Sequence, residues 1–368
     1  MKSKFNLIAA SFLFITCIAW QLTSFAQSGS LDLTFDTDGK VTTAIGSGSD
    51  VGNGVAIQSD GKIVMAGYSD NGNDLDFAVI RYNSNGSLDT GFGSNGKVTT
   101  DIANDDDYGN SVAIQADGKI VVAGYGRISS NNDIVVVRYN TDGTLDVSFD
   151  TDGKVTTPIG TSSDYAFAIA IQPDGKIVVA GSSAAFVVVR YNTDGSLDSN
   201  FDFDGIVTSA IGNSSEGLSI ALQLNGKIVV AGYRSLNAVV DAAVVRYNTD
   251  GSLDLTFDSD GIATTDISGF IDRVYSVGVQ PDGKIVVAGI SLDSLNSNFL
   301  VMRYDTNGTL DPTFDTDGIV TIDVASYNES ARSLAIQSDG KIVVTGLSTI
   351  GTTSFVVLLR YQTNGSLD

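Results

Sequence analysis

The string "DGKIVVAG" starts at Asp117 and returns at Asp174 and Asp282, with the variants "DGKIVMAG" from Asp60, "NGKIVVAG" from Asn225 and "DGKIVVTG" from Asp339. A second string, "GSLD" or "GTLD", starts at Gly29, Gly86, Gly143, Gly195, Gly251, Gly308 and Gly365, at spacings of 57, 57, 52, 56, 57 and 57. Such a period constrains the fold more than any local feature. Each unit must be one supersecondary block that buries its apolar faces against its copies.

One unit contains four short segments rich in Val, Ile, Thr and Tyr: "SVAIQ" from Ser111, "KIVVAGY" from Lys119, "DIVVVRYN" from Asp133 and "GKVTTPI" from Gly153. Gly, Asn and Asp turns separate them, as between strands of a meander. The second and third are almost continuously apolar, which suits strands covered on both faces. Helical periodicity is missing from residue 27 onward. Four antiparallel strands repeated six times predict an all-β, six-bladed β-propeller over residues 27–368, in units of about 57 residues. A β-solenoid is the alternative, but its coils are shorter and seldom contain such hairpins. With "SVAIQ" innermost, the last unit supplies three strands, and "GKVTTAI" at 39–45 is the unpartnered outer strand. Its pairing with the C-terminal blade would close the ring and remove a sheet edge. "GSLD" occurs once more than six blades require, so either the chain continues past Asp368 or one copy stands free.

The combination of "SLDxxFDxDGKVTT", "VAIQxDGKIVVAG" and "FxVxRYNxDGSLD" resembles the delta-60 repeat of secreted bacterial proteins, a propeller repeat similar to the NHL type. The likeness spans residues 29–368. It implies a binding or scaffold role with varied partners.

The first 26 residues have the form of an export signal: Lys2 and Lys4, the apolar run "FNLIAASFLFITCIAW", and small residues ending at Ala26. That run is short for a membrane span, and Thr16 before Cys17 is bulkier than a lipidation site wants. Cleavage removes the single cysteine and the single tryptophan, and the chain has no histidine. Thiol chemistry, histidine catalysis and ordinary zinc sites are thereby excluded from the mature protein. Nineteen basic against 43 acidic side chains remain, a net charge of −24. Such a surface repels nucleic acid and anionic membrane and suits cations.

Fifteen of the 19 basic residues belong to the repeat: the lysine of "DGK", the arginine of "RY" and the lysine of "GKVTT". Only Arg127, Arg234, Arg273 and Arg332 stand outside it. A group needed in every blade serves the blade, so the "RY" arginines are expected at strand ends, paired with aspartates such as Asp89 or Asp146 in bidentate contacts. Leu145 and Phe149 of "SLDxxF" read as a peg between blades, and the "RY" tyrosines as core. Asp36 and Asp38 of "TFDTDGK" resemble the start of a calcium loop. However, the copy "GFGSNGK" lacks both, and the EF-hand spacing is absent, so the string reads as an Asx turn.

The loops between second and third strands vary between units, whereas the "DGK" and "NTDGSLD" turns at the other end hardly change. Binding is therefore expected on the variable face, where Tyr108, Tyr165 and Tyr327 could contact protein or glycan. Eight residues before Gln58, Gln115, Gln172, Gln280 and Gln337 stand Asp50, Asp107, Asp164, Asp272 and Glu329; Glu216 stands seven before Gln223. These six carboxylates predict an acidic ring near one channel mouth. They either accept backbone hydrogen bonds that fasten the blades or hold a calcium ion. The leading functional expectation is a secreted or cell-surface, non-enzymatic, monomeric scaffold binding protein or glycan, without nucleic acid and without membrane insertion of the mature chain. The competing class is a calcium-dependent hydrolase resembling the six-bladed lactonases.

Overall fold

The computed structural model describes residues 31–293, 296–324 and 328–368. The export segment lies outside them. The first blade comprises β1 (Asp50–Ile57), β2 (Ile63–Asp70), β3 (Leu75–Tyr82) and β4 (Lys97–Thr100). The second comprises β5 (Asp107–Ile114), β6 (Ile120–Ile128), β7 (Asn131–Tyr139) and β8 (Lys154–Thr157). The third comprises β9 (Tyr165–Ile171), β10 (Ile177–Ser182), β11 (Phe186–Tyr191) and β12 (Ile206–Ser209). The fourth comprises β13 (Ser214–Leu222), β14 (Ile228–Leu236), β15 (Val239–Tyr247) and β16 (Ile262–Thr265). The fifth comprises β17 (Ile271–Val279), β18 (Ile285–Leu292), β19 (Ser297–Tyr304) and β20 (Ile319–Ile322). The sixth has β21 (Asn328–Ile336), β22 (Ile342–Ile350) and β23 (Thr353–Tyr361).

Each blade is an antiparallel meander whose strands pair in chain order. The first strands of successive blades are neighbours, from β1 beside β5 to β17 beside β21, so these strands surround the axis. The apolar second and third strands are covered on both sides. Ile134 and Val136 of β7 pack on the third blade, whereas Val135 and Val137 pack back on the first.

The repeated basic residues hold the turns. Arg81, Arg138, Arg190, Arg246 and Arg303 donate from Nε to the aspartate eight residues on, at 2.6–2.8 Å, and Arg360 pairs with Asp368 through Nη2. The expected two-oxygen fork is corrected here. In the third blade, Nε and Nη2 of Arg190 both reach Oδ2 of Asp198, and the "DGK" lysine, Lys176, shares that oxygen at 2.8 Å. Oδ1 is already committed to the following turn, where it accepts from the N–H of Asn200. Each guanidinium of the first five blades also donates from Nη1 to a threonine carbonyl in the next repeat, at 2.5–2.6 Å. It stacks on the phenylalanine of its own "SLDxxF", as Arg138 does 4.5 Å from the Phe149 centroid. The peg reading therefore holds, with Phe149 buried between blades two and three. The "RY" tyrosines are buried, and Tyr139, Tyr191, Tyr247 and Tyr304 bond through their hydroxyls to the outer strand of the preceding blade.

"TFDTDGK" is a turn. Asp36 and Thr37 take φ of 43° and 68°, and Asp38 Oδ1 accepts from the N–H of Lys40 at 2.9 Å.

The expected closing ladder is not found among the described residues. Residues 39–45 form no ladder with β23, and the sixth sheet has three strands. Residues 39–45 nevertheless meet the first blade as an outer strand would: Tyr82 donates to Thr43 at 2.7 Å, and Ile45 N–H to Asp50 at 2.8 Å. The outward surface of β23 is bare. Val356 and Leu358 on β23 are 80% and 69% exposed, where their counterparts Ile134 and Val136 are fully buried. On the first blade, Met65, Ala78, Ile80 and Tyr82 border a groove of about 260 Å³ together with Val41 and Thr43.

Candidate functional site at the channel mouth

Every first strand carries a bulge at the same place. The register slips between Gly52 and Gly54 in β1, and equivalent slips occur in β5, β9, β13, β17 and β21. The bulge is possible because a glycine faces it on the second strand. A Cβ on Gly124 would stand 1.8 Å from the Tyr108 carbonyl oxygen. The extra residue in each bulge is Asn53, Asn110, Phe167, Leu218, Tyr275 or Arg332, and all six line one cavity of about 400 Å³. Bulges re-aim side chains. Here they send one residue per blade, of five different kinds, into the same space.

Glu216, Tyr233 and Arg273 complete the lining. Arg273 lies 4.4 Å from the Tyr233 ring centroid and Arg332 lies 4.8 Å from that of Tyr275. Burial and the neighbouring Glu216 push the Tyr233 phenol up to about 12. Asn53 and Asn110 spend donors on the fold, at the carbonyls of Gly109 and Ala166 in the next blade. Beside the cavity, an aromatic row crosses blades one to three. Tyr68, Tyr108, Tyr125 and Tyr165 follow one another at centroid distances of 4.9 Å, and Phe167 lies 6.1 Å beyond Tyr165. Tyr108 and Tyr165 are thus joined through Tyr125, while Tyr327 lies outside the described residues.

The six carboxylates do not form one group. Asp50, Asp107, Asp164, Asp272 and Glu329 each accept the backbone N–H of the residue five before, at 2.6–2.8 Å, one fastening per blade. Ser215, not Glu216, takes that place in the fourth blade, opposite Arg234 as Asp272 is opposite Ser291. Glu216 instead occupies the position of Tyr108, Tyr165 and Arg273, beside the cavity. Among the described residues, one trio of carboxylates, Asp76, Asp101 and Asp107, brings an oxygen from each within 4.8 Å of the others.

The bulge residues were missed although a signal existed: each stands five residues before the aligned glutamines. In a repeat that hardly varies, this column changes from amide to aromatic to aliphatic to cation. Arg273 and Arg332 had been separated as exceptions without being given a role.

Solved structures share the architecture. A protein from Lactobacillus plantarum is 14% identical, with a TM-score of 0.53 over 88% of this chain and 85% of that one. An ulvan lyase bound to -[GlcA(1-4)Rha3S]- is 10% identical, with a TM-score of 0.51 over 85% and 80%. Sqt1 from Chaetomium thermophilum, bound to the N-terminus of ribosomal protein L10, is 12% identical, with a TM-score of 0.47 over 86% of each chain. At these identities the likeness is one of fold alone. No curated protein matches the sequence. A family model matches six times, at residues 58–92, 115–149, 172–201, 223–257, 280–314 and 337–368. Six matches, one per blade and together more than half of the chain, make this protein a member of the family described as domain of unknown function (DUF5122) beta-propeller.

Proposed function

We propose that this protein is an exported, non-enzymatic binding module that holds a glycan bearing acidic groups at the channel mouth. The observation that carries the reading is the set of six bulge residues, different in chemistry on an otherwise repeated frame. Flat aromatic faces take the apolar faces of sugar rings, and guanidinium groups pair with carboxylate or sulfate. In a chain of net charge −22, two arginines stacked over tyrosines beside this cavity make a local site for an anion. The Tyr233 phenol, pushed up by burial and by Glu216, is not poised as a general base near neutral pH. A lactonase-like calcium centre would need several carboxylates in the channel. Among the described residues lining the cavity, Glu216 is the single one.

A glycan array including uronate-containing and sulfated polysaccharides is expected to give selective capture. Arg273→Ala and Phe167→Ala should each weaken it about tenfold or more. Capture unchanged in both variants would remove the site, and release of shorter saccharides from a captured ligand would replace the binding reading with an enzymatic one.

Export implies that the mature chain starts at Gln27, which N-terminal sequencing of protein recovered outside the cytoplasm reads directly. A recovered chain that retained residues 1–26 would contradict cleavage.

We also infer that the ring closes within one chain, with residues 40–43 as the sixth blade's outer strand and a monomer as the result. The support is that 39–45 already makes an outer strand's contacts with the first blade while β23 keeps a free edge.

A further inference from the structure

The junction of the first two blades holds an unneutralised acidic pocket. Asp76 lies near the start of β3, Asp101 directly follows β4, and Asp107 opens β5. Asp76 and Asp107 are 7% and 0% exposed, while Asp101 faces solvent. Asp107 uses Oδ2 to accept the N–H of Ile102, and Asp76 uses Oδ2 to accept from Asn71. The Oδ1 atom of each is buried without a donor. Such orphaned charge is costly unless something outside the polypeptide satisfies it.

The surroundings add to the deficit. Asp74 lies close enough to act on both buried carboxylates, and Asp106 accepts from the N–H of Leu75 next to Asp76. Lys154 donates to the main-chain carbonyl of Asp101 at 3.3 Å rather than to a carboxylate, and Arg127 pairs with Asp105. Burial, with Asp101, Asp76 and Asp74 as neighbours, pushes Asp107 up to about 7.

The repeat supplies its own control. At the junction of blades four and five the same three positions are Asp241, Asp266 and Asp272. There Arg234, at the place of Ser69, donates to Oδ2 of Asp241 at 2.9 Å, so a cation is built in even though Asp241 Oδ1 is also buried without a donor. Between blades two and three Asp133 and Asp164 remain, but Pro158 replaces the middle aspartate. The trio without an internal cation is confined, among these three junctions, to the first.

We propose that Asp76, Asp101 and Asp107 bind a hard divalent cation of the calcium type, which clamps the first blade to the second. Calcium takes six to eight oxygen ligands in adaptable geometry. Three carboxylates with unspent oxygens, one of them open to water, match that preference better than a soft metal's.

The test is calcium chloride titrated into chelator-treated full-length protein, followed by calorimetry and by melting temperature. One site per chain and a rise in melting temperature are expected. Asp101→Asn, at a solvent-exposed position, and Asp76→Asn should each weaken binding about tenfold or more and suppress the rise. Asp266→Asn should bind as the parent does. No binding heat and no thermal shift in the parent, retention of both in Asp101→Asn, or their loss in Asp266→Asn would each overturn the assignment.

Discussion

Cysteines at positions 42 and 357, placed in a Cys17→Ala background, are expected to form an intramolecular disulfide and raise the melting temperature. The register follows from the other blades. Phe77 faces Thr100, Ile134 faces Thr157 and Ala242 faces Thr265, each four residues before the "RY" arginine against the last threonine of the outer strand. Carried to the sixth blade, this sets Val356 opposite Thr43 and Val357 opposite Thr42. Directly opposed residues in an antiparallel pair have Cβ atoms about 4.5–5.5 Å apart, close enough to bridge with slight adjustment. Closure would also cover Val356 and Leu358 with the Met65, Ala78 and Ile80 surface, reproducing the packing that buries Ile134 and Val136. A link spanning most of the chain is worth about 5 kcal/mol in the chain-entropy account. The measurement is non-reducing electrophoresis with peptide mapping, together with thermal unfolding in oxidised and reduced protein. Reduced-like mobility at low concentration, or disulfide-linked dimers instead of monomers, would show that the two ends meet different partners.

The blades and their locks were legible because they are repeated. The "RY" arginine returns with an aspartate eight residues later in every unit, and a pair that recurs at fixed spacing announces a structural contact. What could not be read was the choice of oxygen at Asp198, because it depends on the turn having taken Oδ1 first. The channel residues lay in the opposite situation. Asn53, Phe167, Tyr275 and Arg332 share a position without a common side chain, so none is marked singly, and the signature of the bulge sits on the other strand, in the facing glycine. Glu216 was placed by counting. The fourth unit reaches its glutamine one residue sooner from that carboxylate, and a one-residue shift in a strand reverses the face on which a side chain stands. That shift took Glu216 from the buried row, where Ser215 sits fully covered, to the cavity. Ring closure was read from the unpartnered strand count, which sequence supplies, whereas the approach of the two ends depends on the summed rotation of six blades, which it does not.

Asp198→Ala is expected to be among the most destabilising single substitutions in the protein, at about 3–5 kcal/mol. Asp198 is 1% exposed, and one of its oxygens satisfies the buried Arg190 while also receiving Lys176. Removing the carboxylate leaves a guanidinium without its counter-charge between the third and fourth blades, where its other arm holds the Thr249 carbonyl. Replacing Arg190 and Asp198 together by apolar residues should recover part of the loss, because no charge is then left buried alone. The chain contains a control of identical sequence geometry. Arg360 pairs with Asp368 but is 51% exposed while β23 stands at an open edge, so with the ring open Arg360→Ala should cost less than about 1 kcal/mol. Acid should reproduce the larger effect. Burial opposes ionisation of Asp198, yet the Lys176 ammonium, the Asn200 N–H and the Arg190 guanidinium hold its carboxyl down at about 2. A folded pKa below the unfolded value of about 4 means stability that is complete above pH 4 and is lost as pH falls toward 2. Asp146, Asp254 and Asp311 are shifted in the same direction by the same kind of contacts, so the losses accumulate over one pH window. Denaturant midpoints of parent, Asp198→Ala and Arg360→Ala between pH 2 and pH 7 separate the contributions. The parent curve should fall steeply below pH 4 and the Asp198→Ala curve less steeply. Equal midpoint losses in the two single variants at pH 7 would show that burial is not what makes the pair matter.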